Sequence, residues 1–280
     1  MTMNKQIIHI LKGMPATDGA GVKLTRAIGQ PKLPNLDPFL MIDEIRSDDP
    51  NDYIAGFPPH PHRGFETLTY LMHGSMEHND STGGHGLINA GGVQYMTAGK
   101  GIIHSETPKQ DQGLLWGFQL WINLPAKHKM VDASYVDITK EQIPVLPLKQ
   151  DKTRLKLIAG QVSNFDKTGP VVRDDIQLQI YDISSEVEHQ QSLMFNHNAR
   201  GYIYVYQGQI QVNQQQITSS HVVTFGEGCT VDLTLYPDSG ALVVMGDPIG
   251  EPIVQYGPFV MNTNEEIQQA FVDLDAGRLG

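Results

Sequence analysis

Phe65-Glu66-Thr67-Leu68-Thr69-Tyr70-Leu71-Met72, bounded by Gly64 and Gly74, is the run that decides the fold class. β-Branched and aromatic residues dominate it and glycine punctuates both ends, so it reads as a strand. Trp116-Gly117-Phe118-Gln119-Leu120-Trp121-Ile122 reads the same way and stops before Asn123 and Pro125. Working outward, 28 glycines and 17 prolines divide the chain into segments mostly too short for long helices. Strand-like runs recur at Leu155–Ala159, Ile176–Tyr181, Gly201–Tyr206 and Ala241–Met245. Between the two series lies the polar stretch Ala126-Lys127-His128-Lys129, with Pro144 and Pro147 soon after, which places a domain boundary at about residue 135. The expectation is an all-β protein of two domains, residues 1–135 and 136–280, each a small sandwich or barrel of short strands.

The halves look like distant copies. Leu68–Met76 and Tyr202–Ile210 are both β-rich runs that turn at a glycine, Gly74 and Gly208, into a second strand. One helix is signalled near the end: Thr263-Asn264-Glu265-Glu266 is a capping box. Ile267, Ala270, Phe271 and Leu274 then follow at helical spacing and Gly277 offers a stop. Its apolar stripe is expected to pack on a barrel exterior, in a structural role.

Composition narrows the function classes. A hydrophobic fraction of 40% and a charged fraction of 18% suit a globular chain. A formal charge of −11 disfavours broad contact with nucleic-acid phosphates or anionic lipid. Cys229 is the one cysteine, so no intrachain disulfide forms, which fits a reducing compartment. The N-terminal apolar patch, broken by His9, is too short for a secretory leader, and no run reaches the ~18 apolar residues of a membrane span. A cytoplasmic protein, with no membrane contact and no direct nucleic-acid partner, is expected.

Six of the eleven histidines fall between positions 60 and 104. His78 and His85, in Glu77–His85, read as solvated residues of an exposed turn. His60 and His62 differ: residues i and i+2 of an extended chain share a face, ~7 Å apart at Cα, so two imidazoles there can converge on one ion at ~2.1 Å. His104-Ser105-Glu106 repeats the device with an imidazole and a carboxylate. Two strands each offering two inward donors make a four-ligand N₃O set. Glu66, four residues after His62, is a competing carboxylate, and spacing alone leaves it tied with Glu106. Trp116 and Trp121 are expected in core packing, and Cys229 as a small buried residue.

Pro59-His60-Pro61-His62-Arg63-Gly64-Phe65-Glu66-Thr67 and Met96–Glu106 resemble the metal segments of the pirin family of the cupin superfamily. Asn35–Leu40 and Tyr256–Thr263 resemble pirin segments too, so the likeness spans nearly the whole chain. Three residues between Gly56 and His60, and Gly99 where many cupins have proline, depart from the general cupin pattern but match the pirin variant. The resemblance implies a bicupin: two antiparallel β-barrels face to face, with metal only in the N-terminal one. By the family pattern the ligands are His60, His62, His104 and Glu106. The C-terminal half has a single His197 in Asn196–Asn198, and His221 without an acidic partner.

Three imidazoles and one carboxylate leave two open positions on an octahedral ion and suit Fe(II), with Mn, Co, Ni, Cu or Zn as alternatives. Pirins are similar to quercetin 2,3-dioxygenases, which implies a small flavonol-like aromatic substrate and O₂, cleaved to a depside and carbon monoxide. In that reaction Glu106 is the expected catalytic proton acceptor. The alternative implied by the family is a metal- or redox-sensing regulator that acts through a protein partner. A monomer is expected.

Overall fold

In a computed structural model, residues 3–110, 112–148, 151–162 and 165–279 are described. Short runs rich in β-branched and aromatic residues form antiparallel sheets throughout, and the chain divides into two units. One unit comprises Pro15–Asn35, Phe39–Lys140 and Ile249–Gly280; the other comprises Met1–Met14, Leu36–Pro38 and Glu141–Pro248.

The division differs from a single cut near residue 135. The strand Ile7–Lys12 pairs with His221–Phe225 and so joins the second half's sheet. Conversely, the hairpin Val254–Tyr256/Phe259–Met261 and the helix Asn264–Asp275 belong to the first half's unit. The reason is packing: Phe259, Met261, Ile267 and Ala270 are buried with Leu279, and Ile103 packs against them. The capping box forms as expected, with Thr263 Oγ1 accepting from Glu266 N at 3.2 Å and Glu266 Oε2 accepting from Thr263 N at 3.0 Å. Gly277 takes φ +66°, the left-handed turn that ends the helix.

In the first unit a sheet runs in the order Ser134–Ile138, Val93–Thr97, Phe65–His73, Leu115–Asn123, Phe39–Ser47, Val22–Ile28, Met14–Asp18. A smaller sheet runs Phe57–His62, Ile102–Pro108, Ser75–Asp80, His85–Asn89. Val22, Ile45 and Leu71 of the larger sheet and Met76 and Ile88 of the smaller one share a core, so the sheets face each other. The second unit repeats this order strand for strand. Its larger sheet runs Ile7–Lys12, His221–Phe225, Arg200–Gln207, Ser239–Gly246, Gln179–Ser185, Thr153–Ala159, Val145–Pro147. Its smaller sheet runs His189–Met194, Thr230–Leu235, Gln209–Val212, Gln215–Thr218. The Gly74 and Gly208 turns occupy the same place in the two orders, so the repeat read from the sequence is a repeat of topology.

One strand is displaced from its expected position. Ile176–Tyr181 was the apolar run, but Gln177 sits at φ 47° and the strand begins at Gln179, extending to Ser185. The left-handed residue breaks the extended backbone inside the run. Among the described residues no helix is long and apolar enough to cross a membrane.

Candidate metal centre

Phe57-Pro58-Pro59-His60-Pro61-His62 is the edge strand of the smaller sheet, the one place where three prolines cost little, since half of an edge strand's N–H groups lack partners anyway. It pairs antiparallel with Ile102–Pro108, with Ile102 opposite His62 and His104 opposite His60. A register shift after His104 sets Glu106 opposite Phe57. Ring centroids lie 4.3 Å apart for His60 and His104, 4.7 Å for His60 and His62, and 4.9 Å for His62 and His104. One ring nitrogen from each of the three lies within 4.8 Å of the others.

Hydrogen bonds sort the nitrogens. His60 Nδ1 is 2.8 Å from the Pro58 carbonyl, which can only accept, so Nδ1 carries the proton and Nε2 is left for a ligand. The Pro258 carbonyl likewise takes a bond from His62, while His62 Nδ1 is buried without a partner. His104 Nδ1 meets His78 Nδ1 at 3.3 Å, and His104 Nε2 is buried without a partner. Burial, reinforced by the neighbouring imidazoles, holds His62 and His104 well below the ordinary histidine range, and burial lowers His60 as well. Two orphaned buried nitrogens beside a third free one form a donor set of neutral imidazoles. That set fits a divalent transition metal.

Glu106 stands outside the three converging nitrogens but on the wall of the same cavity, of about 1100 Å³, as His60 and His62. Burial pushes its carboxyl up to about 7, opposed by a bond from Thr69 Oγ1 at 3.2 Å. Thr69 Oγ1 is also 2.6 Å from Gln119 Oε1. Glu66, the competing carboxylate, is engaged elsewhere: Tyr95 donates to Oε2 at 2.5 Å and Thr97 to Oε1 at 2.8 Å, both from the adjacent strand Val93–Thr97.

Three residues sit differently from expectation. His78 is not solvated but fully buried, because Ser75–Asp80 is a strand and His78 follows Met76 onto its inward face. The alternation Met76, His78 was the available signal, obscured by polar Glu77, Asn79 and Asp80; His85 is exposed, as read. Trp121 lines the cavity and meets the His62 ring edge-on at 5.1 Å, whereas Trp116 is buried and donates to Glu44 at 2.8 Å. Cys229 is only partly buried, 3.8 Å from His197 Nδ1. Sequence reasoning also missed Arg26 on the cavity wall, which clamps Asp43 through Nε and Nη2 at 2.8 and 2.6 Å. Burial nevertheless raises Asp43 to about 6.

In the second unit the strands equivalent to the two that carry the clustered histidines are His189–Met194 and Thr230–Leu235. Besides Thr230, their buried residues are Leu193, Val231, Leu233 and Leu235, part of one apolar core. Neither His197 nor His221 lies at an equivalent position.

The family model for Pirin matches residues 21–122, and that for the Pirin C-terminal cupin domain matches residues 180–280. The chain belongs to the pirin family. As a pirin, it has two cupin-like domains built of antiparallel sheets. A Pseudomonas aeruginosa protein with the provisional name of a quercetin 2,3-dioxygenase is 44% identical, covering 100% of this chain and 99% of its own. The mouse protein named Pirin is 37% identical over 100% of this chain and 96% of its own. Among solved structures, one titled quercetin 2,3-dioxygenase from Acinetobacter baumannii superposes with TM-score 0.92 at 32% identity, covering 99% of each chain.

Proposed function

We propose that this pirin is a metal-dependent dioxygenase of the quercetin 2,3-dioxygenase type, acting with O₂ on a flavonol to give a depside and carbon monoxide. The observation that carries the reading is the set of three neutral imidazoles converging beside a buried carboxyl on the wall of a cavity of about 1100 Å³. The names of the Pseudomonas and Acinetobacter relatives support the same reaction. His60, His62 and His104 would hold the metal, with Glu106 as a fourth ligand. Fe(II) is the proposed ion, with Mn, Co, Ni, Cu or Zn as alternative occupants. When bound, the metal supplies Lewis-acid polarisation of the substrate's 3-hydroxyl and redox chemistry toward O₂.

The chain's own residues supply the rest. Glu106, the carboxyl on the cavity wall beside the imidazoles, takes the 3-hydroxyl proton. Thr69, bonded in turn to Gln119 on the cavity wall, holds the carboxyl in place. Trp121 and Phe57 give the cavity the apolar faces against which an aromatic ring stacks.

The test loads the purified chain anaerobically with Fe(II), then follows O₂ and carbon monoxide with quercetin present. O₂ consumed in step with the flavonol and matched by carbon monoxide is the expected result. Metal-replete protein that consumes none would sink the dioxygenase reading in favour of a regulatory protein acting through a partner.

A further inference from the structure

Behind His104 lies a line of buried polar atoms that ends away from the cavity. His78 is fully buried, its Nδ1 3.3 Å from His104 Nδ1. Its Nε2 lies 3.7 Å from Asp80 Oδ2, an electrostatic contact rather than a hydrogen bond; both side chains are closed to solvent, and neither atom has a hydrogen-bond partner. Asp80 is pinned by its other oxygen: Oδ1 accepts from Thr82 N at 2.7 Å, Thr82 Oγ1 at 2.6 Å and Gly84 N at 3.2 Å. Packing closes the far side. The Tyr135 ring lies 5.0 Å from His78, and a side chain at Gly84 would strike Asp80 Oδ2 at 2.2 Å.

Between two imidazole nitrogens one must donate and the other accept. If His78 Nδ1 carried the proton, its Nε2 lone pair would face the Asp80 carboxylate, two acceptors in a buried contact. His104 Nδ1 would then be the acceptor and its Nε2 would be protonated, with no lone pair for a metal. The opposite arrangement avoids that clash: Nε2–H of His78 faces the Asp80 carboxylate, its Nδ1 accepts from Nδ1–H of His104, and His104 Nε2 is bare. No proton is gained or lost; only its placement changes.

We infer that Asp80 and His78 are positioning residues that fix His104 in the tautomer whose Nε2 lone pair faces the metal site. The inference rests on the metal-binding reading above. Partners of this kind hold a ligand's tautomer and orientation, and losing them typically weakens metal binding ~10–100-fold.

Two measurements on the full-length chain test it. Long-range proton–nitrogen NMR of the metal-free protein at pH 8 should show His104 protonated at Nδ1 and His78 at Nε2. His104 protonated at Nε2 would overturn the inference. Zinc affinity by chelator competition should fall ~10–100-fold in His78→Phe, while His78→Gln, whose amide oxygen can accept from His104, should keep most of the affinity. Unchanged binding by the Phe variant, or equal loss in both, would overturn it. Should the parent chain bind no zinc, the metal reading fails, and the tautomer measured by NMR still decides the role of Asp80 and His78.

Discussion

His104 stands directly opposite His60 in an antiparallel ladder, their ring centroids 4.3 Å apart. The pleat then brings His62, two residues along, to the same side. Three imidazoles thus come from two adjacent strands, brought together by that one pairing.

Chelation should therefore lower the melting temperature of the metal-loaded chain by several degrees. An ion present at about a hundred times its Kd stabilises the folded state by about 2.7 kcal/mol. In His104→Ala the shift should vanish and metal content fall well below one ion per chain. Calorimetry with and without chelator, paired with elemental analysis, checks this; a full shift in the variant would place the ion elsewhere.

The metal-free protein should lose stability as pH rises, through Glu106. Its carboxyl is raised from 4.5 to about 7, so the folded state holds a proton that the unfolded chain gives up. That stabilisation is complete below the unfolded value and gone above the folded one, a change of roughly 3 kcal/mol at 1.36 kcal/mol per unit. Glu106→Gln cannot ionise. It should match the parent near pH 4 and exceed its stability at pH 8 in urea titrations, and a parallel pH response would discount the effect.

Thr69→Val should move the titration of Glu106 in the metal-free chain. One hydroxyl proton cannot serve both Gln119, at 2.6 Å, and Glu106, at 3.2 Å, at once, yet the bond to Glu106 holds that carboxyl down. Without it the Glu106 carboxyl of the metal-free chain should titrate at higher pH, read by carboxyl carbon-13 NMR. An unshifted titration would remove Thr69 from the proton's surroundings.

Lys129→Met should destabilise the chain by roughly 2–4 kcal/mol. The buried Lys129 ammonium donates to the carbonyls of Gly64 and Val260 and to Asn123 Oδ1, at 2.7, 2.9 and 2.7 Å. Methionine fills the space but leaves three buried acceptors without a donor. Equilibrium unfolding measures the loss, and a variant as stable as the parent would show that water replaces the ammonium.

The paired donors at i and i+2 were legible because a strand's period is two, and so were most strands and the capped helix. Register was not. Nothing local to His60 says that His104 will face it, and spacing leaves Glu66 level with Glu106, a tie that only the likeness to the pirin family breaks. His78 was misread because its polar neighbours made a strand resemble a turn. The interleaving of the two units was also hidden, since neither Ile7–Lys12 nor the last hairpin carries a mark of the sheet it joins.

That interleaving orders events on the ribosome. The unit that carries the histidines draws its hairpin and helix from far along the chain, and Asp273 of that helix is the partner of buried Arg63, one residue after His62. A nascent chain released at about residue 135 would carry all three imidazoles without the backing of Ile103 or the anchor of Arg63. The packing around these imidazoles is accordingly completed by a segment synthesised long after the strand it backs.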